Sequence, residues 1–227
     1  MTRPGRINLA GHLKRCLPFN LFLACSAVSD AAPETNNLVE PQGWNWHAQN
    51  TDVVQYHPGF SAEYSGPNSM DKVNEVKETV SLDLYAGVRL WRGAEAHIDG
   101  LLWQGFGLSD TRGVEGFPNG EAFRLGTAVP NVTIARLFLR QTFGLGGDQE
   151  SVADDELHLG GTRDLSRITV TLGKMSAKDL FDNNTYANDP RTQFLNWALM
   201  ANEAWDYPAD SLGYTTGVAI ELNQPVS

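Results

Sequence analysis

Apolar and polar residues alternate with a period of two along several stretches of this chain, the spacing that sends successive side chains to opposite faces of a strand. Over residues 80–91 the alternation is strict. Val80, Leu82, Leu84, Ala86, Val88 and Leu90 take one parity, and Ser81, Asp83, Tyr85, Gly87, Arg89 and Trp91 take the other. The same pattern predicts a strand over 135–143, where Ala135, Leu137, Leu139 and Phe143 oppose Arg136, Arg140 and Thr142, and further strands over 168–172 and 218–222. Weaker alternation marks 94–98 and 51–56. An all-β, antiparallel architecture is therefore expected.

Two architectures share such alternation. A soluble sandwich buries its apolar face, whereas a transmembrane barrel turns that face to lipid and keeps the polar one inside. Arg89, Arg136 and Arg140 sit on the polar parity, where they would line a lumen. Tyr85, Trp91, Trp103 and Phe143 fall near predicted strand ends, where they would form aromatic girdles. The connections over 64–69, 105–120, 144–161 and 179–210 are rich in Gly, Pro, Asn and Asp, the residues that set turns. Long connections on one side and short ones on the other are expected of a porin-like barrel. The longest contains Asp189-Pro190, which can start a short helix whose Phe194, Leu195, Trp197, Ala198 and Leu199 would pack on the inner wall.

Charge and composition narrow the choice. With 17 basic against 27 acidic residues the formal charge is −10, and no Lys/Arg cluster is available to neutralise a nucleic-acid backbone. Arg3, Arg6, Lys14 and Arg15, followed by the mostly apolar run 17–28 and small residues to Ala31, predict a signal peptide over 1–31. Its removal would leave 227 − 31 = 196 residues of charge −10 − (4 − 1) = −13, and no cysteine, since Cys16 and Cys25 both lie within it. A lipid-attachment site at Leu23-Ala24-Cys25 is the alternative there. Downstream, no stretch reaches the roughly 18 apolar residues of a spanning helix, so entry into a membrane would be by strands. The five histidines, at positions 12, 47, 57, 97 and 158, show no metal-ligand spacing, and no Gly-x-Ser-x-Gly occurs. The run from Asp182 departs from a calcium loop at Ala187 and Gln193. No catalysis, cofactor or metal is expected.

Several runs, in order, resemble the carbohydrate-selective porins of the OprB type: His57-Pro58-Gly59-Phe60, LYAGVRLWRGA from Leu84, GFGLSDT from Gly105, GFPNGE from Gly116, ARLFLRQTFGLGG from Ala135, FDNNTYANDPRTQFLNWAL from Phe181 and WDYPAD from Trp205. The resemblance implies an outer-membrane channel for passive sugar diffusion, in a barrel of about sixteen strands. At one strand per roughly 25 residues this chain would supply about seven or eight, an incomplete half-barrel with long loops and a short loop helix. The expected organisation is a signal over 1–31, a periplasmic segment over 32–50 and the N-terminal part of a barrel over 51–227, the chain being read as an N-terminal fragment. Expected partners are mono- or oligosaccharides and outer-membrane lipid, with homo-oligomers left open. A sugar site needs polar groups beside flat apolar faces. The wall candidates are Arg89, Arg136 and Arg140. Asp182, Asn183, Asn184, Asp189, Arg191 and Trp197 resemble the family's inward-folded segment. Each has a plainer role open to it: the arginines could neutralise internal carboxylates such as Asp83, and Trp197 could pack the loop helix. The rival functions are a secreted or periplasmic saccharide-binding sandwich and a glycosidase, the latter requiring two carboxylates roughly 5–9.5 Å apart.

Overall fold

The computed structural model describes residues 40–111, 126–181, 184, 186–189, 191–194 and 209–224. Its strands are β1 (Trp44–His57), β2 (Glu75–Trp91), β3 (Ala94–Gly105), β4 (Thr127–Gly144), β5 (Gln149–Val152), β6 (Gly161–Asp164), β7 (Arg167–Met175) and β8 (Thr215–Asn223). Six of them form one antiparallel sheet in the order β1-β2-β3-β4-β7-β8, and β5 with β6 forms a separate hairpin. Every strand read from the alternation is present and runs further than the alternation marked. The extension is greatest at β4, which begins at Thr127 rather than residue 135, and it is nearly as large at β1, which begins at Trp44 rather than residue 51. The outward positions of β1 include Ala48, Asn50 and Asp52, which blur the apolar parity.

The wall holds six strands among the described residues, fewer than the seven or eight expected. The segment 145–166 and the described residues of 176–214 add no strand to it. β1 pairs with β2 and β8 with β7, and the sheet is not closed. This is the arrangement of an incomplete barrel. Three long connections, 58–74, 106–126 and 176–214, leave one end of the sheet. The other end has the tight turn at Arg92-Gly93, where Gly93 adopts φ +76°, and the segment 145–166. That last connection is longer than a simple turn because it contains the β5–β6 hairpin.

The two faces have the reverse of a soluble protein's polarity. Leu84, Ile98, Leu137, Leu172, Val218 and Ile220 stand bare on one face, Leu84 being 53% and Ile220 74% exposed. On the other, Thr79, Ser81, Asp83, His97, Asp99, Thr169 and Thr171 are buried, Thr79 at 2% and Asp83 at 5%. A sandwich would bury the first set and wet the second. Cross-strand register gathers the outward-facing side chains into rows, such as Val88, Ala96, Leu139, Leu172 and Val218. These rows form a slanting band. On β2 the apolar run is centred at residue 85, whereas the row through Ile220, the centre of the run on β8, meets β2 at Trp91. A slip of 91 − 85 = 6 residues over four strand-to-strand steps, at about 3.3 Å per residue and about 4.8 Å between strands, gives a slope of about 45°. Strands tilted by that much keep an apolar belt level in a barrel.

Two readings of the sequence change here. Tyr85 and Trp103 are not girdle residues: both are buried on the covered face, because Tyr85 shares the parity of Ser81 and Asp83 on β2, and Trp103 that of Asp99 and Leu101 on β3. Trp91 and Phe143 do stand exposed at the turn end, with Trp44 and Trp46 beside them in the same region of the sheet. Ala135 does not share the parity of Leu137. Gly100 faces Ile134, yet the next pair is Asp99 with Arg136, so Ala135 is the extra residue of a β-bulge. It is fully buried beside Leu101 and Trp103. Without the bulge Arg136 would turn to the bare face, since a one-residue shift exchanges the two faces of a strand.

Candidate functional site

The covered face is organised by arginines at two levels. At the level nearer the long connections, Arg136 on β4 donates through Nε and Nη2 to both carboxylate oxygens of Asp179, each at 2.8 Å, and through Nη1 to Asp99 at 2.8 Å. Its guanidinium also lies 5.1 Å from the ring centre of Tyr214. Asp179 belongs to a capping box on the short 3-10 turn Ala177–Asp179, accepting from the Ser176 N–H at 2.9 Å. Tyr214 closes the same segment. Asp210 accepts from the N–H groups of Leu212 and Tyr214, and these two side chains pack on Leu101, Trp103 and Ala135. Arg136 thus touches both feet of the segment 176–214.

The described middle of that segment is held by its own turns. Asn184 accepts from the N–H groups of Tyr186 and Ala187, and Asp189 accepts from the Arg191 N–H and the Thr192 hydroxyl. The Arg191 guanidinium pairs with Asp189 at 3.7 Å and donates to Thr51 at 3.5 Å. It also donates to the side-chain oxygen of Gln49 once that amide is oriented to satisfy both groups. Gln49 and Thr51 belong to β1, so the segment leaves β7 and reaches the opposite edge strand across the covered face. Asp182, Asn183 and Trp197 lie outside the described residues, as does most of the helix expected after Asp189.

Nearer the turn end, Glu95 takes Arg89 at 3.2 Å, His97 at 3.3 Å and Arg140 at 4.0 Å. The two arginines also donate to backbone carbonyls, Arg89 to Gln42 at 2.9 Å and Arg140 to Leu157 at 2.7 Å. Phe138 stacks on His97 with ring centres 5.0 Å apart, and Arg140 lies over it at 5.1 Å. The strap 153–160 is held against this level by Asn45, which donates to Asp154 at 2.7 Å, and by the contact of His47 with Asp154 at 3.2 Å. His158 meets Asp155 within the strap at 2.9 Å. Arg89, Arg136 and Arg140 therefore share a face, as expected, but the first and last belong to the strap level and the second to the level above. Asp99, Asp179, Glu95 and Tyr214, to which they are tied, were not singled out in the sequence. The Ser176-to-Asp179 spacing of a capping box was the available signal for Asp179. Asp99 and Glu95 sit on β3, whose alternation was weak.

The strap gives a pH-dependent expectation. Burial pushes the Asp154 carboxyl up, but hydrogen bonds from Asn45, Gln42 and His47 outweigh it and hold it below the usual carboxylate range. Burial likewise acts upward on Asp155, outweighed by His158 and the Leu157 N–H. A depressed carboxylate contributes stability that is fully present above its unfolded value, about 4, and is lost as pH falls through the lower folded value. The protection of amides in 153–160, meaning their exchange relative to the intrinsic rate at each pH, is expected to stay constant from pH 7 to about 5 and to fall below about 4, with Asp154→Asn removing part of the pH response. Protection that does not fall below about pH 4 contradicts the assignment.

An open antiparallel sheet with a bare apolar belt, a charged covered face and a segment reaching across that face defines a porin-type wall. The model of one family, the carbohydrate-selective porins of the OprB family, matches residues 67–220, and the chain belongs to that family. No curated protein and no solved structure matches it.

Proposed function

We propose that this chain forms wall of an outer-membrane channel through which sugars diffuse passively down their gradient. The export signal over 1–31 carries it across the inner membrane, the apolar belt faces lipid, and further strands complete the barrel along the β1 and β8 edges. The observation that carries this reading is the polarity of the sheet, with Leu84 and Ile220 bare and Asp83 and Asp99 buried, in a chain of a carbohydrate-porin family. A pyranose offers hydroxyl edges and C–H faces, and polar groups beside aromatic rings meet both. Within the reaching segment Asp182, Asn183, Asn184, Asp189 and Arg191 supply hydrogen-bonding partners, and Trp197 a flat face. Arg89, Arg136 and Arg140 set the charge of the wall behind them. Sugars pass without any bond being made or broken.

In hydrocarbon each unpaired backbone group at an open sheet edge costs several kcal/mol, so inserted chain has its edges paired. Full-length chain reconstituted into planar bilayers is expected to open ion-conducting pores whose current falls in a saturable way as glucose is added. Sealed bilayers contradict the channel, and pores indifferent to glucose contradict its sugar selectivity.

A further inference from the structure

We propose that Arg136, turned inward by the Ala135 bulge, is the latch that holds the segment 176–214 across the covered face, and so acts on sugars as a positioning residue rather than as a sugar ligand. The geometry leaves its guanidinium little capacity for another partner. Two of its nitrogens are taken by Asp179 in a fork-to-fork pair and the third by Asp99, all at 2.8 Å. One face of the group lies on the Tyr214 ring. Asp179 stands just after the segment leaves β7, and Tyr214 just before it enters β8. One side chain on β4 therefore pins both feet. The bidentate pair fixes direction as well as distance, which a lysine cannot reproduce. Asp99 is 1% exposed, so the latch is anchored to β3 on a carboxylate that needs its cation.

The bulge is what makes the latch available. Regular pairing continued beyond Gly100 and Ile134 would have set Ala135 opposite Asp99 and sent Arg136 to the bare face. With the extra residue absorbed, Arg136 faces Asp99 directly. Leu137 and Leu139 keep their outward places in the belt.

This inference rests on the reading of 176–214 as the sugar-selecting segment, and its test separates the two. Hydrogen exchange of the full chain, folded in detergent micelles, follows the amides of Leu180, Phe181, Gln193 and Phe194, each bonded within the segment. In Arg136→Gln their exchange is expected to rise at least tenfold, with strand amides unchanged. Arg136→Lys, which keeps the charge and loses the fork, is expected to fall between. Asp179→Asn is expected to match Arg136→Gln, and combining the two to add little. It also serves as the variant of record should Arg136→Gln fail to fold. Arg163→Gln, which breaks an ion pair in the β5–β6 hairpin, is expected to leave these amides unmoved. In bilayers the latch variants are expected to raise the half-blocking glucose concentration about tenfold, with partial recovery in Arg136→Lys, while pores still form. Unchanged exchange in both Arg136→Gln and Asp179→Asn overturns the latch, as does an equal rise in Arg163→Gln. Faster exchange with unaltered sugar block upholds the latch and overturns the sugar-selecting reading of the segment.

Discussion

Leu84→Arg is expected to weaken the folded chain in lipid vesicles by about 2–4 kcal/mol. Leu84 lies in the middle of the β2 apolar run and is 53% exposed on the bare face. In water an exposed position of that kind tolerates charge. In a bilayer it does not, because arginine near the midplane must be dragged out of its hydration or pull water in after it. The measurement is urea unfolding from phospholipid vesicles, with Leu84→Ala as the reference for lost side-chain area. A cost below about 1 kcal/mol in lipid would remove this part of β2 from the belt.

Trp103→Ala is expected to cost about 3–5 kcal/mol, whereas Trp91→Ala costs less than about 1 kcal/mol. Both residues look alike in the sequence, tryptophans placed near strand ends. The structure separates them. Trp103 is 9% exposed and forms, with Leu101 and Ala135, the apolar island on which Leu212 and Tyr214 rest. Truncating it opens a cavity under the returning foot of the long segment. Trp91 is 58% exposed at the turn end, with its indole N–H donating to Gln141 at 2.8 Å. The same urea titration ranks the two, and equal costs would contradict the placement of Trp103.

The belt was legible in the sequence because a strand's period of two is independent of what its faces meet. Val80 to Leu90 reads the same whether lipid or a second sheet covers it, so alternation gave the strands but not the direction of burial. The direction had to come from the arginines on the polar parity and from the family's runs. The bulge was hidden by a different cause. Ala135 is small and apolar, so it joins either parity without offence, and the change of phase between Ile134 and Leu137 is invisible unless both neighbours of the strand are known. The partners of Arg136 were hidden because they come from β3 and from a capped turn 43 residues away. An ion pair of that separation leaves no local periodicity. The tie from Arg191 to Thr51 spans 140 residues and is equally silent in the sequence.

Covered-face chemistry follows from the same inversion. Asp99 and Asp179 can lie beside one another because Arg136 stands between them, and Glu95 is met by Arg89, Arg140 and His97. Removing one partner from such a cluster leaves a poorly solvated charge, which costs more than the pair itself contributes. Each arginine also bonds to a connecting segment, so the charges that line the wall are the ones that hold the segments to it. The placing of these segments thus depends on three residues on β2 and β4.

The central claim is that the bare face meets lipid and the polar face does not. Its most direct test is a nitroxide scan over residues 80–90 in phospholipid vesicles, one cysteine at a time, with Cys16 and Cys25 replaced by serine where they are retained. Collisions with oxygen, which concentrates in lipid, are compared with collisions with a water-soluble nickel chelate. The account expects a period of two, with oxygen favoured at 80, 82, 84, 86, 88 and 90 and disfavoured at 81, 83, 85, 87 and 89. The opposite phase, or no alternation at all, would contradict it.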